Sequence, residues 1–189
     1  MPHVAVPPHT VEPAVRLHEN PFETVERCDV SFATFEKHYY VVHFARRGAI
    51  VMHRDGKLLL TAQYRFLIDG ISWEIPGGSA SEGEQLPDAA RREVLEETGF
   101  WCAEMDKMFS YRPGLDNVEN LTEVYYCPGP EKRHEVSRSE QEILEIGWFE
   151  LAQCTEAIFA GEITDALTIA AILATPEHIR RLLARSAPE

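Results

Sequence analysis

The sequence predicts an α+β domain in which helices cover a mixed sheet, and three observations carry that prediction. β-branched and aromatic residues dominate positions 22–66, one short amphipathic helical pattern follows Gly77-Gly78, and a second β-rich stretch gives way to helical patterns from Leu151 onward. Strands first, one central helix, more strands and terminal helices give either an α+β or an α/β/α layering. With 189 residues, 44% of them hydrophobic and 10% aromatic, the chain suits one domain with an ordinary buried core.

The elements follow in order. Residues 1–15 contain four prolines and no periodicity, so they read as a flexible proline-rich arm outside the core, leaving 16–189 as the domain. "VERCDVSF", "EKHYYVVHFA", "GAIVMH" and "KLLLTAQYRF" read as strands, and Asp55-Gly56 between the last two signals a tight hairpin. Pro87 fits the first turn of a helix, where its missing N–H does no harm. Ala89, Ala90, Val94 and Leu95 give that helix an apolar side, and Gly99 stops it, so a helix is predicted over 87–98. "KMFSYR" and "LTEVYYC" flank Pro113-Gly114 and read as strands, as does "EILEIGWFEL" after a polar loop at 128–139. The tail reads as short helices over 151–160, 164–174 and 176–186, with Thr164 as the N-cap of the second. No internal repeat or heptad pattern interrupts this order.

Charge and cysteine usage narrow the partners. With 31 acidic against 18 basic residues, a net charge of -13, most of the surface repels a polyanionic nucleic acid, while a small or metal-shielded anion remains compatible. Cys28, Cys102, Cys127 and Cys154 are far apart and form no C-x-x-C pair, so buried free thiols are expected rather than a zinc site or a disulfide framework. No basic segment precedes a long apolar run and no membrane-length apolar stretch occurs, which predicts a soluble cytoplasmic protein without membrane attachment. The basic face of "EHIRRLLARS" is short and fits a packed or solvated helix. The histidines, among them His38, His43, His53 and His134, show no H-x-x-x-H spacing and read as structural or exposed.

On the predicted helix Glu93 lies three residues before Glu96 and four before Glu97, so their carboxylates share one edge. Each like-charge pair at that spacing costs roughly 0.2 to 0.5 kcal/mol, and the helix C-terminus adds its own partial negative charge. Arg91 and Arg92 offset only part of this, because Asp88 adds to the acid. A hard divalent cation such as Mg²⁺ or Mn²⁺ would resolve the conflict, and so would full solvation of an acidic face; helical spacing alone leaves both open.

The flanking residues add a family. From Gly78 the chain runs five residues to Glu84, seven more, then Arg92-Glu93-Val94-Leu95-Glu96-Glu97-Thr98-Gly99-Phe100. This resembles the Nudix box, G-x5-E-x7-R-E-U-x-E-E-x-G-U with U bulky and apolar, at every fixed position. The resemblance implies a Nudix-type α/β/α sandwich with a mixed sheet and a loop-helix-loop motif that holds Mg²⁺, or Mn²⁺ in its place, against a diphosphate. Carried over by position, Glu93 and Glu97 would be the principal metal ligands and Glu96 a further or water-mediated one. The Gly77 carbonyl would be an extra ligand. Arg92 would orient the glutamates, Glu84 would support the site from its edge, and Gly78 would let the loop backbone come close.

"AQYRFLIDGISWEIPGG", "YRPGLDN" and "SEQEILEIGWFEL" followed by "AGEITDALTIAAIL" extend the likeness to ADP-ribose pyrophosphatases and related nucleoside diphosphate sugar hydrolases over residues 40–175. The subgroup often has alanine at the position of Gly77 and serine at that of Asp116. The resemblance implies hydrolysis of ADP-ribose or a related nucleoside diphosphate sugar to a nucleoside monophosphate and a sugar phosphate. The alternatives are another nucleoside diphosphate derivative, such as GDP-mannose, a dinucleotide or a nucleoside triphosphate, and a nucleotide-sensing module without turnover. Glu140, then Glu142, is the candidate general base of the acidic loop, each with a solvated polar loop as its bland reading.

Arg65 is a candidate phosphate or ribose contact or else one half of a salt bridge, and Glu74 either binds a substrate hydroxyl or pairs with an arginine. Pro113 and Gly114 are expected in the substrate loop by resemblance. Trp73, Tyr111 and Phe66 read as core rather than base-stacking residues. The family likeness further implies a homodimer, with strands at 22–45 as a dimerisation subdomain.

Overall fold

A computed structural model describes residues 8–135 and 143–186, and its strands follow the β-branched runs. In chain order the elements are β1 (Thr10–Val11), β2 (Val15–Glu19), β3 (Glu23–Ser31), β4 (Glu36–Phe44), β5 (Arg47–Arg54), β6 (Lys57–Arg65), β7 (Gly70–Glu74), β8 (Gly77–Ser79), α1 (Leu86–Thr98), β9 (Phe100–Trp101), β10 (Asp106–Tyr111), β11 (Val118–Glu119), β12 (Thr122–Cys127), β13 (Glu131–Lys132), β14 (Ile143–Glu150), α2 (Leu151–Ala160) and α3 (Ala166–Ser186). A 3₁₀ turn, Phe66–Ile68, joins β6 to β7.

The chain divides into two compact units. One holds the residues up to Ala45 together with Arg112–Leu121. Its sheet is built on the β3–β4 hairpin, with β1 and β2 antiparallel to β3 and β11 parallel to β4. Within the expected arm, Thr10 and Val11 pair with Ser31 and Val30, and Val15 with Arg27.

The second unit, Arg46–Tyr111 with Thr122 onward, carries a mixed sheet. Its order is β10-β12-β5-β6-β14, with β5 and β12 parallel and the other neighbours antiparallel; β7 adds to β6 and β8 to β5. Asp55 and Gly56 both take positive φ, 52° and 79°, the two-residue turn whose twist suits the β5–β6 hairpin. Because successive side chains of a strand point to opposite faces, β5 serves two cores. Ile50 and Met52 pack with Ala90 and Val94 of α1, whereas Ala49 and Val51 pack with Cys154, Leu167, Ala171 and Ile172 of α2 and α3. Helices therefore cover both faces of a mixed sheet. α1 approaches β5 closely, since a Cβ on Gly48 would stand 2.6 Å from the Leu86 carbonyl oxygen and 2.8 Å from the Ala90 Cβ.

Three local expectations change. The tail helices expected at 164–174 and 176–186 form one helix, α3, that runs through Pro176. The apolar stripe Leu167, Ala171, Ile172, Ile179 and Leu182 continues at helical spacing past the proline, so core packing outweighs the backbone hydrogen bond the proline removes. Asp165, not Thr164, caps this helix: its carboxylate accepts the Thr168 N–H at 2.8 Å, leaving Thr164 outside the first turn. Phe66 is not core; it heads the 3₁₀ turn and is 83% exposed, whereas Trp73 packs edge-on against Phe149 and Tyr111 packs against the same apolar cluster. Cys102, Cys127 and Cys154 are buried and Cys28 half-buried, all as free thiols. No helix among the described residues is long and apolar enough to cross a membrane.

Candidate active site

The site is built where α1 meets the loop before it. Gly99, at φ 72°, ends the helix by donating its N–H to the Leu95 carbonyl, which sets Glu93, Glu96 and Glu97 in its last turns. Their neighbour Arg92 is a hub. Its Nε and Nη2 donate to the two carboxylate oxygens of Glu84 at 3.0 and 2.9 Å, and Nη2 also donates to the Ser79 carbonyl at 3.0 Å. Nη1 reaches Glu93 at 2.7 Å and Glu96 at 3.4 Å. A planar fork that binds one carboxylate in bidentate fashion fixes the guanidinium, and with it the two glutamates it touches. Glu84 is held in turn by the Ser81 N–H, and the Arg92 hydrogen bonds bring its carboxyl down to about 2.

Glu97 points inward, its Oε2 accepting the Gly77 N–H at 3.0 Å. Burial, followed by the nearby Glu93 charge, pushes its carboxyl up to about 7, against the opposing pull of the Gly77 N–H, Arg47 and Arg65. Gly78 leaves room for the Glu93 carboxylate, since a Cβ there would lie 2.3 Å from its Oε2 and push it aside. A Cβ on Gly77 would likewise meet the Gly48 carbonyl oxygen at 2.4 Å.

Beside this helix end, β6 and β7 frame a cleft of about 360 Å³ lined by Arg47, Arg65, Ser72, Glu74, Thr164 and Asp165, with Leu67 and Ile68 at its lip. Arg65 and Glu74, each given two readings in the sequence, bond to one another: Nε to Oε1 at 2.8 Å and Nη2 to Oε2 at 2.5 Å. Burial raises the Glu74 carboxyl, but the Arg65 and Ser72 hydrogen bonds win and hold it below the usual range. Arg47, which the sequence reading missed, donates from Nη2 to the Gly77 carbonyl at 3.5 Å. It starts β5 where that strand pairs with β8, so only strand register brings it beside the glycine loop, and no motif spacing announces it.

Four expected residues are not among those lining this cleft as described. Gly114 lines a cleft of about 410 Å³ within the other unit, with Arg112, Asp116 and Asn117, and Pro113 belongs to the same loop. Glu140 and Glu142 fall outside the described residues.

The donors around Glu97 are carboxylate and carbonyl oxygens without thiol or imidazole, the chemistry that hard divalent cations prefer. Among the described residues no three His, Cys, Asp or Glu side chains are already drawn together as a ligand set.

Comparison with known proteins agrees with this arrangement. The NUDIX domain family matches residues 42–168. The chain is 26% identical over 160 residues to CMP-5'-(N-acetyl-N-hydroxy-3-aminopropyl)phosphonate hydrolase of Streptomyces rubellomurinus, covering 84% of this chain and 77% of that protein. It is 26% identical over 141 residues to ADP-ribose pyrophosphatase of Mycobacterium tuberculosis, covering 71% and 66%. Among solved structures, an ADP compounds hydrolase superposes with a TM-score of 0.80 at 17% identity, covering 95% of this chain and 98% of that one. The family match spans most of the chain, the shared fold extends over nearly all of it, and the glycine loop and glutamate-bearing helix lie inside the matched region, so the chain belongs to the Nudix family and is a Nudix hydrolase.

Proposed function

We propose that the chain hydrolyses the diphosphate bond of ADP-ribose or a related nucleoside diphosphate sugar, in a Mg²⁺-dependent reaction that yields a nucleoside monophosphate and a sugar phosphate. The observation that carries this reading is Glu97: a half-buried carboxyl beside Glu93, under a glycine loop, next to a cleft lined by two arginines. Mg²⁺, or Mn²⁺ in its place, would be held by Glu93 and Glu97, with Glu96 and the Gly77 carbonyl as further donors, and it would supply charge neutralisation and a water of lowered pKa.

The chain's own residues do the positioning. Arg92, clamped on Glu84, keeps Glu93 and Glu96 on one edge of α1, so little reorganisation is needed when the diphosphate enters. Arg65, its fork held by Glu74, brings its guanidinium charge to the cleft as a contact for phosphate or ribose oxygens, and Glu74 can accept a substrate hydroxyl. Glu140, or Glu142 in its place, takes the proton from the attacking water, and Pro113 and Gly114 belong to the substrate loop. The thiols, all free, suit a reducing cytoplasm. The chain acts as a homodimer.

The test is product analysis by chromatography on ADP-ribose, GDP-mannose, diadenosine polyphosphates and nucleoside triphosphates, each with and without Mg²⁺. Metal-dependent AMP from ADP-ribose is the expected result. A cytidylyl derivative belongs in the panel, because the Streptomyces rubellomurinus relative is named for a CMP conjugate. Binding without turnover of any member would instead indicate a nucleotide-sensing module.

A further inference from the structure

We propose that Arg47 is a substrate-binding residue of this site, its guanidinium taking an oxygen of the substrate's diphosphate. The inference rests on the reading of the site as a diphosphate hydrolase. Three arginines stand at the site, and they differ in what they bind. Arg92 is bound through two atoms to Glu84 and through a third to Glu93, and Arg65 is bound through two atoms to Glu74. Arg47, by contrast, makes no ion pair among the described residues, and its one hydrogen bond is a 3.5 Å contact to the Gly77 carbonyl, at the long end of the range.

This half-buried guanidinium feels the Glu74 and Glu97 carboxylates only through space, with no direct ion pair, so an anion that bonds to it directly would satisfy it better. The anion has a place to come from, since Arg47 lines the cleft that Arg65, Ser72 and Glu74 also line. Its position in the fold is rigid. Arg47 pairs with Ser79 across β5–β8, and the next residue, Gly48, is locked under α1. A cation on a rigid strand end, touching the carbonyl of Gly77 and facing the cleft, is where a diphosphate spanning the metal donors and Arg65 needs a fixed point of positive charge.

The test is calorimetric titration of the full chain, wild type, Arg47→Gln and Arg47→Lys, with ADP and with adenosine in the presence of Mg²⁺, alongside thermal melts. Arg47→Gln should weaken ADP binding by about tenfold to a hundredfold, the range for a lost charge-assisted hydrogen bond, and leave adenosine binding unchanged. Arg47→Lys, which keeps the charge but not the fork, should recover part of the loss. Equal weakening of both ligands would show that Arg47 only braces the Gly77 loop, and unchanged ADP affinity would overturn the proposal directly. If Arg47→Gln does not melt cooperatively, Arg47→Lys decides: ADP several-fold weaker with adenosine unchanged is expected, and wild-type affinity for both overturns it. A wild-type chain that neither binds ADP nor cleaves any diphosphate would sink the underlying reading itself, an outcome distinct from failure of the variants alone.

Discussion

Glu97 concentrates the electrostatics of the site in one side chain. Burial and the Glu93 charge push its carboxyl up to about 7 in the folded chain against a usual 4.5, so the sign is that of a raised carboxylic acid: full stability below the unfolded value, lost as pH rises through the folded one. The metal-free protein should therefore be less stable at pH 8 than at pH 5 by up to about 3 kcal/mol from this group. Glu97→Gln should remove that dependence, which melts in chelator across that pH range would show, while turnover falls nearly to background. Equal slopes for the two proteins would contradict the assignment. Arg92→Lys should lower kcat by about tenfold to a hundredfold, because an ammonium cannot hold both oxygens of Glu84 and still orient Glu93. The glutamates were legible in the sequence because helical spacing forces them together. The inward turn of Glu97 onto the Gly77 N–H was not, since it depends on a loop returning from the sheet. Arg65 and Glu74 were each legible as charged candidates, and nothing in their spacing joined them until β6 and β7 paired.

At the scale of elements, what could be read depended on how many residues each pattern had. α1 differs by one residue from its expected start, because Pro87 and Gly99 mark its two ends. β5 and β6 were legible from long β-branched runs and a turn dipeptide. Strands of two or three residues carry no periodicity and exist only as pairings, β8 and β11 with the longer β5 and β4, and β9 and β13 with each other. α3 failed the local rule for the opposite reason, since a proline that should break a helix is outweighed by a stripe buried on both sides of it. Pro176→Ala should therefore raise stability by about 1 to 3 kcal/mol without affecting kcat, as denaturant melts and steady-state rates would show. Gly48→Ala should do the reverse, lowering stability by about 1 to 3 kcal/mol as its Cβ pushes α1 off β5.

For the whole molecule, the layering of helices on both faces of a mixed sheet followed from the order of patterns, whereas the return of residues 112–121 to a unit with the first 45 did not, because no local pattern marks it. That first sheet leaves Val15, Leu17, Tyr40 and Phe44 exposed, an apolar surface that suits contact with a second copy. Light scattering should give twice the 21.5 kDa chain mass, and Tyr40→Asp should reduce it to one. A monomer at every concentration would contradict the dimer. The central claim is the chemistry at α1, and the measurement that tests it most directly is the product formed from ADP-ribose by the purified chain with and without Mg²⁺. The account predicts AMP with the metal and none in chelator. No cleavage under either condition, by a protein that folds and binds Mg²⁺, would contradict it.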